Sequence, residues 1–377
     1  MHSRMMAGYA ESNASLFRRL GVPLGDPAAW IEIGEESIAL VRDLEMDRVR
    51  QRSQAATVTC PAGHPPPGGL SPDRETATAQ AAARLLSSRQ VAQVTVDRSL
   101  PFVFAWHLTQ AGIRLDYDPE YGVRDRRSKT PEEIASLRHA QAVTEEVMRT
   151  LCEAIATAAV DDQGRLIRDG GLLTSESVRR EAAVAFLGRG FVMPHGAIVA
   201  TAPEVADCHH AGRGPLRSGV PVIIDLFPRD EQSRYWGDCT RTVVHGTVSE
   251  GVRRMHAAVI EAKAAAIGQL RPGITAEQVH RAAESVLVNH GYAVRRGEIT
   301  DEPSIQHGTG HGIGLDVHEP ILLDEGGEEI AVGEVLTVEP GLYGRSHGGV
   351  RVEDMVVATA EGPENLNRLP EGLDWKP

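Results

Sequence analysis

Thiol chemistry is scarce in this 377-residue chain. Its four cysteines, Cys60, Cys152, Cys208 and Cys239, are far apart and form no CxxC pair. Neither a disulfide framework nor a thiolate zinc site is indicated, and a reducing cytoplasm fits best. A basic excess is missing too: 39 Lys and Arg stand against 52 Asp and Glu, for a net charge of −13. A phosphate backbone is repelled where no basic stripe compensates, and no such stripe exists, so broad nucleic-acid binding is excluded. No run approaches the ~20 apolar residues of a membrane span. The first residues also lack the continuous apolar stretch of a signal peptide. The expectation is a soluble cytoplasmic protein with no membrane partner. The composition present is ordinary and globular, 41% hydrophobic and 24% charged with 38 Gly and 22 Pro. At ~150 residues per domain, the length suggests two domains or a little more.

Residues 1–125 read as a small α/β unit. Strands are expected near Ala29 to Ile33, Ser37 to Asp43, Val91 to Val96 and Ile113 to Tyr117, with helices from Thr76 to Leu86 and opening at Ser99. The segment PAGHPPPGGLSP, Pro61 to Pro72, is too rich in Pro and Gly for a helix or a central strand. Thr130-Pro131-Glu132-Glu133 then supplies a cap residue, a proline at the first helical position and a Glu three after the cap, which starts a helix. From there to residue 377 one order occurs twice. Helices over about 131 to 159 and 175 to 187 lead into β-rich sequence, as do helices over about 250 to 269 and from Thr275. The fold class expected for 126–377 is a pseudo-duplicated α+β domain.

Each β-rich block carries a pair of acids. In the first, VPVIIDLFP and YWGDCTRTVV place Asp225 and Asp238 almost symmetrically about a turn near Glu231 and Gln232, nearly opposite in a regular hairpin. In the second, VLTVEPGLY and VRVEDMVV place Glu339 and Glu353 symmetrically about Ser346. An unpaired carboxylate inside so apolar a run as VIIDLF costs several kcal/mol, so it needs a cation or a proton. If the halves pack face to face, four acids share one cleft. Each like-charged pair at ~4 Å would repel by about 4 kcal/mol, and two divalent ions bring the total charge to zero. The densest His cluster, IQHGTGHGIGLDVHE, adds His307, His311 and His318, and strand alternation would put His307 and His311 on one face. One imidazole with four carboxylates suits Mn, Co, Fe or Zn. Any one acid alone reads as an edge-strand or solvated residue; the joint pattern points to a two-metal centre.

These motifs resemble the pita-bread metallopeptidases, the superfamily of aminopeptidase P, prolidase, methionine aminopeptidase and the metal-free creatinases. The likeness covers about 130 to 360 and rests on IIDLFP, YWGDCTRT, HGTGHGIGLDVHEP, LTVEPGLY and GGVRVEDMV. It implies a metal-ligand set of Asp225, Asp238, His311, Glu339 and Glu353, with Glu339 shuttling the proton of a bridging hydroxide. It also implies two divalent ions, Mn foremost and Co, Zn or Fe as alternatives. A shortened creatinase-like N-terminal domain and a homodimer are implied as well. His307 four residues before His311 and His318 seven after it resemble the proline-specific branch. The remaining catalytic His of that branch matches His209 in ADCHHAGRGP, with His210 as its neighbour. Arg351 is then a partner for a ligand carboxylate. Two departures stand out: the spacing from Asp225 to Asp238 is two residues longer than in the commonest members, and the N-terminal unit begins without the usual first helix-strand segment.

The activity implied is hydrolysis of Xaa-Pro peptide bonds, as an aminopeptidase or a dipeptidase, on a peptide with proline at the second position. The leaving nitrogen of such a bond is a tertiary amide with no N–H, so the enzyme must deliver a proton, and imidazoles at His209, His307 and His318 suit that need. Two alternatives stay open at this point: a metal-dependent hydrolase of another amide or small molecule, and a pita-bread binding protein without catalysis.

Overall fold

In a computed structural model, residues 2–376 are described and the chain forms two compact units, Met1–Arg126 and Arg127–Pro377. The first unit is built on a six-stranded sheet whose order is Thr57–Thr59, Glu36–Leu40, Pro27–Ile33, Ser3–Tyr9, Gln93–Val96, Arg114–Tyr117. The strand Ser3–Tyr9 sits mid-sheet, antiparallel to Pro27–Ile33 and parallel to Gln93–Val96. No strand was expected there, because SRMMAGY has neither β-branched residues nor alternation. The physical reason is burial on both faces. Met5, Ala7 and Ile31 pack beneath the helices Arg74–Ser88 and Phe102–Gln110. Met6, Ala28 and Trp30 pack against Leu16 and Leu20 of the helix Ala14–Leu20.

The second unit opens with the helix Pro131–Ala156. Thr130 and Glu133 form the reciprocal capping box, with Pro at the start of the helix. The helices Ser175–Leu187, Glu250–Gln269 and Ala276–Asn289 follow the expected order. Each half has its own core. Val147, Leu151 and Ile155 of the first helix meet Val222, Ile224 and Val243. In the second half, Val259, Ala262 and Val279 meet Leu336, Val338, Val350 and Val356. A three-stranded meander, Ala159–Val160, Leu166–Arg168 and Gly171–Leu172, intervenes without a clear sequence signal.

The acid-bearing strands depart from simple hairpins. Strand Pro221–Leu226 pairs with Cys239–Val244 so that Asp225 faces Thr240, leaving Asp238 just before the second strand rather than opposite Asp225. The chain does turn near Glu231 and Gln232: Arg229 bridges Trp236 and the Asp230 N–H donates to Tyr235 O at 3.0 Å, while Arg229–Asp230 also pairs with Phe191–Val192. In the second half the strand breaks at Pro340, which has no N–H for a ladder. Before it, Val335–Val338 pairs with Asp354–Thr359 in a five-stranded sheet; after it, Gly341–Gly344 pairs with Gly348–Arg351 in a four-stranded sheet. Since Val338 faces Asp354, Glu339 and Glu353 meet where the two sheets part. The halves are stitched here: Glu353 N–H donates to Thr240 O at 3.1 Å and Thr242 Oγ1 donates to Arg351 O at 2.9 Å.

Candidate metal centre

One cavity of about 510 Å³ is lined by Asp225, Asp238, Glu339, Glu353, His311, His307, His318, His209 and Arg351 together. His210 is not among its lining residues, and its Nδ1 accepts the Gly212 N–H at 2.9 Å. His307 and His311 do not share a strand face as expected. Only Gly310–Gly312 is extended, and His307 lies in the bend that follows Ser304–Ile305. Glycine is required at 310 because a Cβ there would collide with the carbonyl of Thr337. Gly237 meets the same limit against Thr144 and Ala140 of the helix Pro131–Ala156. That contact lets the segment carrying Asp238 lie directly on the helix.

The charge balance of this cavity is unusual for so buried a set of acids. Asp238 is 3% exposed and Glu353 2%, so both are cut off from water. Asp225 pairs with Arg351 Nη2 at 2.5 Å, yet its other oxygen, Oδ1, is buried with no hydrogen-bond partner. One guanidinium therefore faces four carboxyls. Burial, then the neighbouring acids Glu353, Asp225 and Glu339, hold the Asp238 carboxyl well above its ordinary value. Burial and the charges of Glu339 and Asp225 do the same to Glu353. Burial pushes Glu339 up to about 7 against the opposing pull of Arg351. Without cations such a cluster survives only by holding protons.

His311 completes the donor set. Burial, then the charge of His318, lowers its imidazole to about 3, so it stays neutral. Its Nδ1 is 3.0 Å from Gly312 O, which leaves Nε2 with a lone pair 3.6 Å from Glu339 and 3.8 Å from Asp238. Atoms of Asp238, His311 and Glu353 converge within 4.8 Å. Oxygen donors with one imidazole, and an orphaned buried carboxylate oxygen among them, fit borderline divalent cations such as Mn, Co, Fe or Zn.

Several supporting groups gave no signal in the sequence. Gln141, fully buried on the helix Pro131–Ala156, grips Asp238 by both backbone groups: its Nε2 donates to Asp238 O at 2.7 Å and its Oε1 accepts Asp238 N–H at 2.8 Å. Thr240 Oγ1 donates to Glu353 Oε2 at 2.8 Å. Tyr343 OH donates to His307 Nε2 at 2.6 Å and accepts from Arg351 Nη1 at 2.9 Å. His307 Nδ1 lies 2.7 Å from Gly308 O, so both of its nitrogens are engaged. Burial, then the charge of Arg351, lowers its imidazole to about 3. A glutamine amid an apolar helical stripe, and a tyrosine one turn of chain from an acid motif, are the only hints the sequence holds for these roles.

Residues 135–360 match the model of metallopeptidase family M24. The chain belongs to that family. The "Probable dipeptidase PepE" of Mycobacterium bovis is 32% identical over 252 residues, covering 66% of this chain and 61% of that protein. This chain thus aligns with somewhat under two thirds of that relative's length. The "Xaa-Pro dipeptidase" of Pyrococcus horikoshii is 29% identical over 283 residues, 74% of each chain. Among solved structures, the "Xaa-Pro dipeptidase from Bacillus anthracis" superposes with a TM-score of 0.80 at 20% identity, covering 98% of this chain and 94% of that one. The M24 chain accordingly has the pita-bread fold that its motifs resemble. Among the described residues no helix is long and apolar enough to cross a membrane.

Proposed function

We propose that this chain is a dinuclear metal-dependent exopeptidase acting on Xaa-Pro bonds, with the first unit serving as a shortened creatinase-type domain. We assign it to the cytoplasm as a homodimer, with Mn as the working metal. The observation that carries the activity is four carboxyls and a neutral imidazole converging in a cavity that supplies only one guanidinium. The names of the relatives, dipeptidases and Xaa-Pro dipeptidases, support the substrate class.

Asp225, Asp238, His311, Glu339 and Glu353 would hold the two cations. Bound there, divalent ions supply a water nucleophile at neutral pH and polarise the scissile carbonyl. The remaining chemistry falls to the side chains. Glu339 is the most open of the four carboxyls, its side chain 17% exposed, and is the one placed to take up and return a proton. His318 and His209 stand exposed on the cavity wall, where an imidazole can hydrogen-bond a substrate or protonate the tertiary proline nitrogen. His307, with both nitrogens engaged, acts through Tyr343 and Arg351 and so holds Asp225 in place rather than meeting substrate. The test is direct. Protein loaded with Mn releases the N-terminal amino acid from Ala-Pro or Gly-Pro; stoichiometric metal without cleavage of any Xaa-Pro peptide refutes the assignment.

A further inference from the structure

Exopeptidases of this kind divide by whether they need a free carboxylate just past the scissile bond, and one imidazole outside the ligand set bears on that choice. His195 lies in the bend between Phe191–Val192 and Ala197–Ala200, is exposed, and lines the same cavity as the metal-type donors. Its ring lies flat on the indole of Trp236, with centroids 5.4 Å apart and planes inclined by 6°. The indole is itself anchored. It is 4% exposed, its Nε1 donates to Leu315 O at 3.0 Å, and the Trp236 N–H donates to Gly314 O at 3.1 Å. The Arg229 guanidinium lies over the same indole at 5.7 Å. Stacking fixes the plane of the imidazole and leaves both nitrogens at its free rim. Among the described residues neither nitrogen has a hydrogen-bond partner.

An ordered, exposed ring gains little from burial, so packing alone does not explain this placement. His318 and His209 are exposed on the wall of the same cavity. No free acid competes for them. Asp225 is paired with Arg351, and Asp324 is paired with Arg296 at 2.8 Å. The four ligand carboxylates are balanced once two divalent ions are bound. The imidazole side of the cavity is then an unoccupied set of hydrogen-bond donors suited to an anion.

We propose that His195, braced on Trp236, binds together with His209 and His318 the free α-carboxylate of the residue after the scissile bond, which makes the enzyme a dipeptidase. The proposal rests on the exopeptidase reading. A longer peptide or a C-terminal amide carries no anion at that point and leaves the donors unpaired, so it is disfavoured by about 10- to 100-fold.

The test is steady-state kinetics of the Mn-loaded full chain on Ala-Pro, Ala-Pro-amide and Ala-Pro-Ala, with His195→Phe and His195→Gln. Phenylalanine keeps a ring on the indole but has no nitrogen; glutamine restores a donor. The expected result is a wild-type preference for Ala-Pro. In His195→Phe, KM for Ala-Pro rises at least 10-fold with kcat within a few-fold, the acid-to-amide ratio falls toward one, and His195→Gln recovers part of it. Equal kcat/KM for acid and amide in the wild type overturns the proposal. So does an unchanged KM in His195→Phe, an equal loss on all three substrates, or a preference that follows an apolar third residue. If no Xaa-Pro peptide is cleaved at all, the exopeptidase reading has failed separately. Calorimetric titration of the same metal-loaded proteins with proline and prolinamide then decides this inference: proline binding lost in His195→Phe supports it, and equal binding of both ligands ends it.

Discussion

Metal binding at this centre should be coupled to proton release, and the coupling can be worked out from Glu339. Its carboxyl rises from 4.5 to about 7 on folding, and Asp238 and Glu353 also lie above their ordinary values. A cation takes up a carboxylate, not a carboxylic acid, so below neutrality each bound proton must leave first. One proton costs a factor of ten in affinity per pH unit. Glu339 is already half protonated at pH 7, so lowering the pH from 7 to 5 should weaken Mn binding about 50-fold, or about 2.3 kcal/mol, through Glu339 alone. Proton release from Asp238 and Glu353 steepens that slope. The metal-free protein shows the other side of the same linkage. Because the folded value lies above the unfolded one, the stability from Glu339 is complete below pH 4.5 and lost as pH rises through about 7. The loss amounts to about 3 kcal/mol, so the melting temperature of metal-free protein falls between pH 5 and pH 8, and added Mn abolishes the fall. The assay is calorimetric titration with Mn at several pH values, in buffers of differing ionisation enthalpy. Affinity that does not change with pH, with heats independent of buffer, would refute the argument that these acids hold protons in the empty site.

Three further outcomes follow from single contacts. Gln141→Leu removes both bonds to the Asp238 backbone and should cost about 2 to 4 kcal/mol in urea unfolding, with a parallel drop in bound metal. Tyr343→Phe leaves His307 Nε2 without a partner and removes one of the hydrogen bonds of Arg351 Nη1. It should lower stability by about 1 to 3 kcal/mol and reduce kcat while two metals per chain remain by elemental analysis. Glu339→Gln should keep the fold by circular dichroism but cut kcat by about 10²- to 10⁴-fold, and hydrolysis at the wild-type rate would remove Glu339 from the mechanism.

The acids and the ligand imidazole were legible because each sits in a short motif whose character is local: a charge inside an apolar run, or a His among glycines. Helix starts at Thr130 and Thr275 were legible for the same reason, since capping is decided within four residues. The hairpin geometry was not. Symmetry about Ser346 correctly set Glu339 against Glu353, but Pro340 divides that strand between two sheets, which the spacing alone does not reveal. Symmetry about Glu231 set the turn correctly but placed Asp238 two residues off, because the pairing that runs through Arg229 and Trp236 sets Asp225 against Thr240. Gln141, Thr240, Tyr343 and the His195–Trp236 stack depend on contacts between distant segments, where no local pattern carries information. The strand Ser3–Tyr9 was hidden by burial on both faces, which erases the alternation that marks a strand.

The account turns on cations shared by the two halves. A crystal structure of Mn-loaded protein, with anomalous data collected on both sides of the manganese edge, should show two ions held by Asp225, Asp238, His311, Glu339 and Glu353. A metal found only elsewhere, for instance at Asp207, Cys208 and His209, or none in this cavity at saturating Mn, would contradict it.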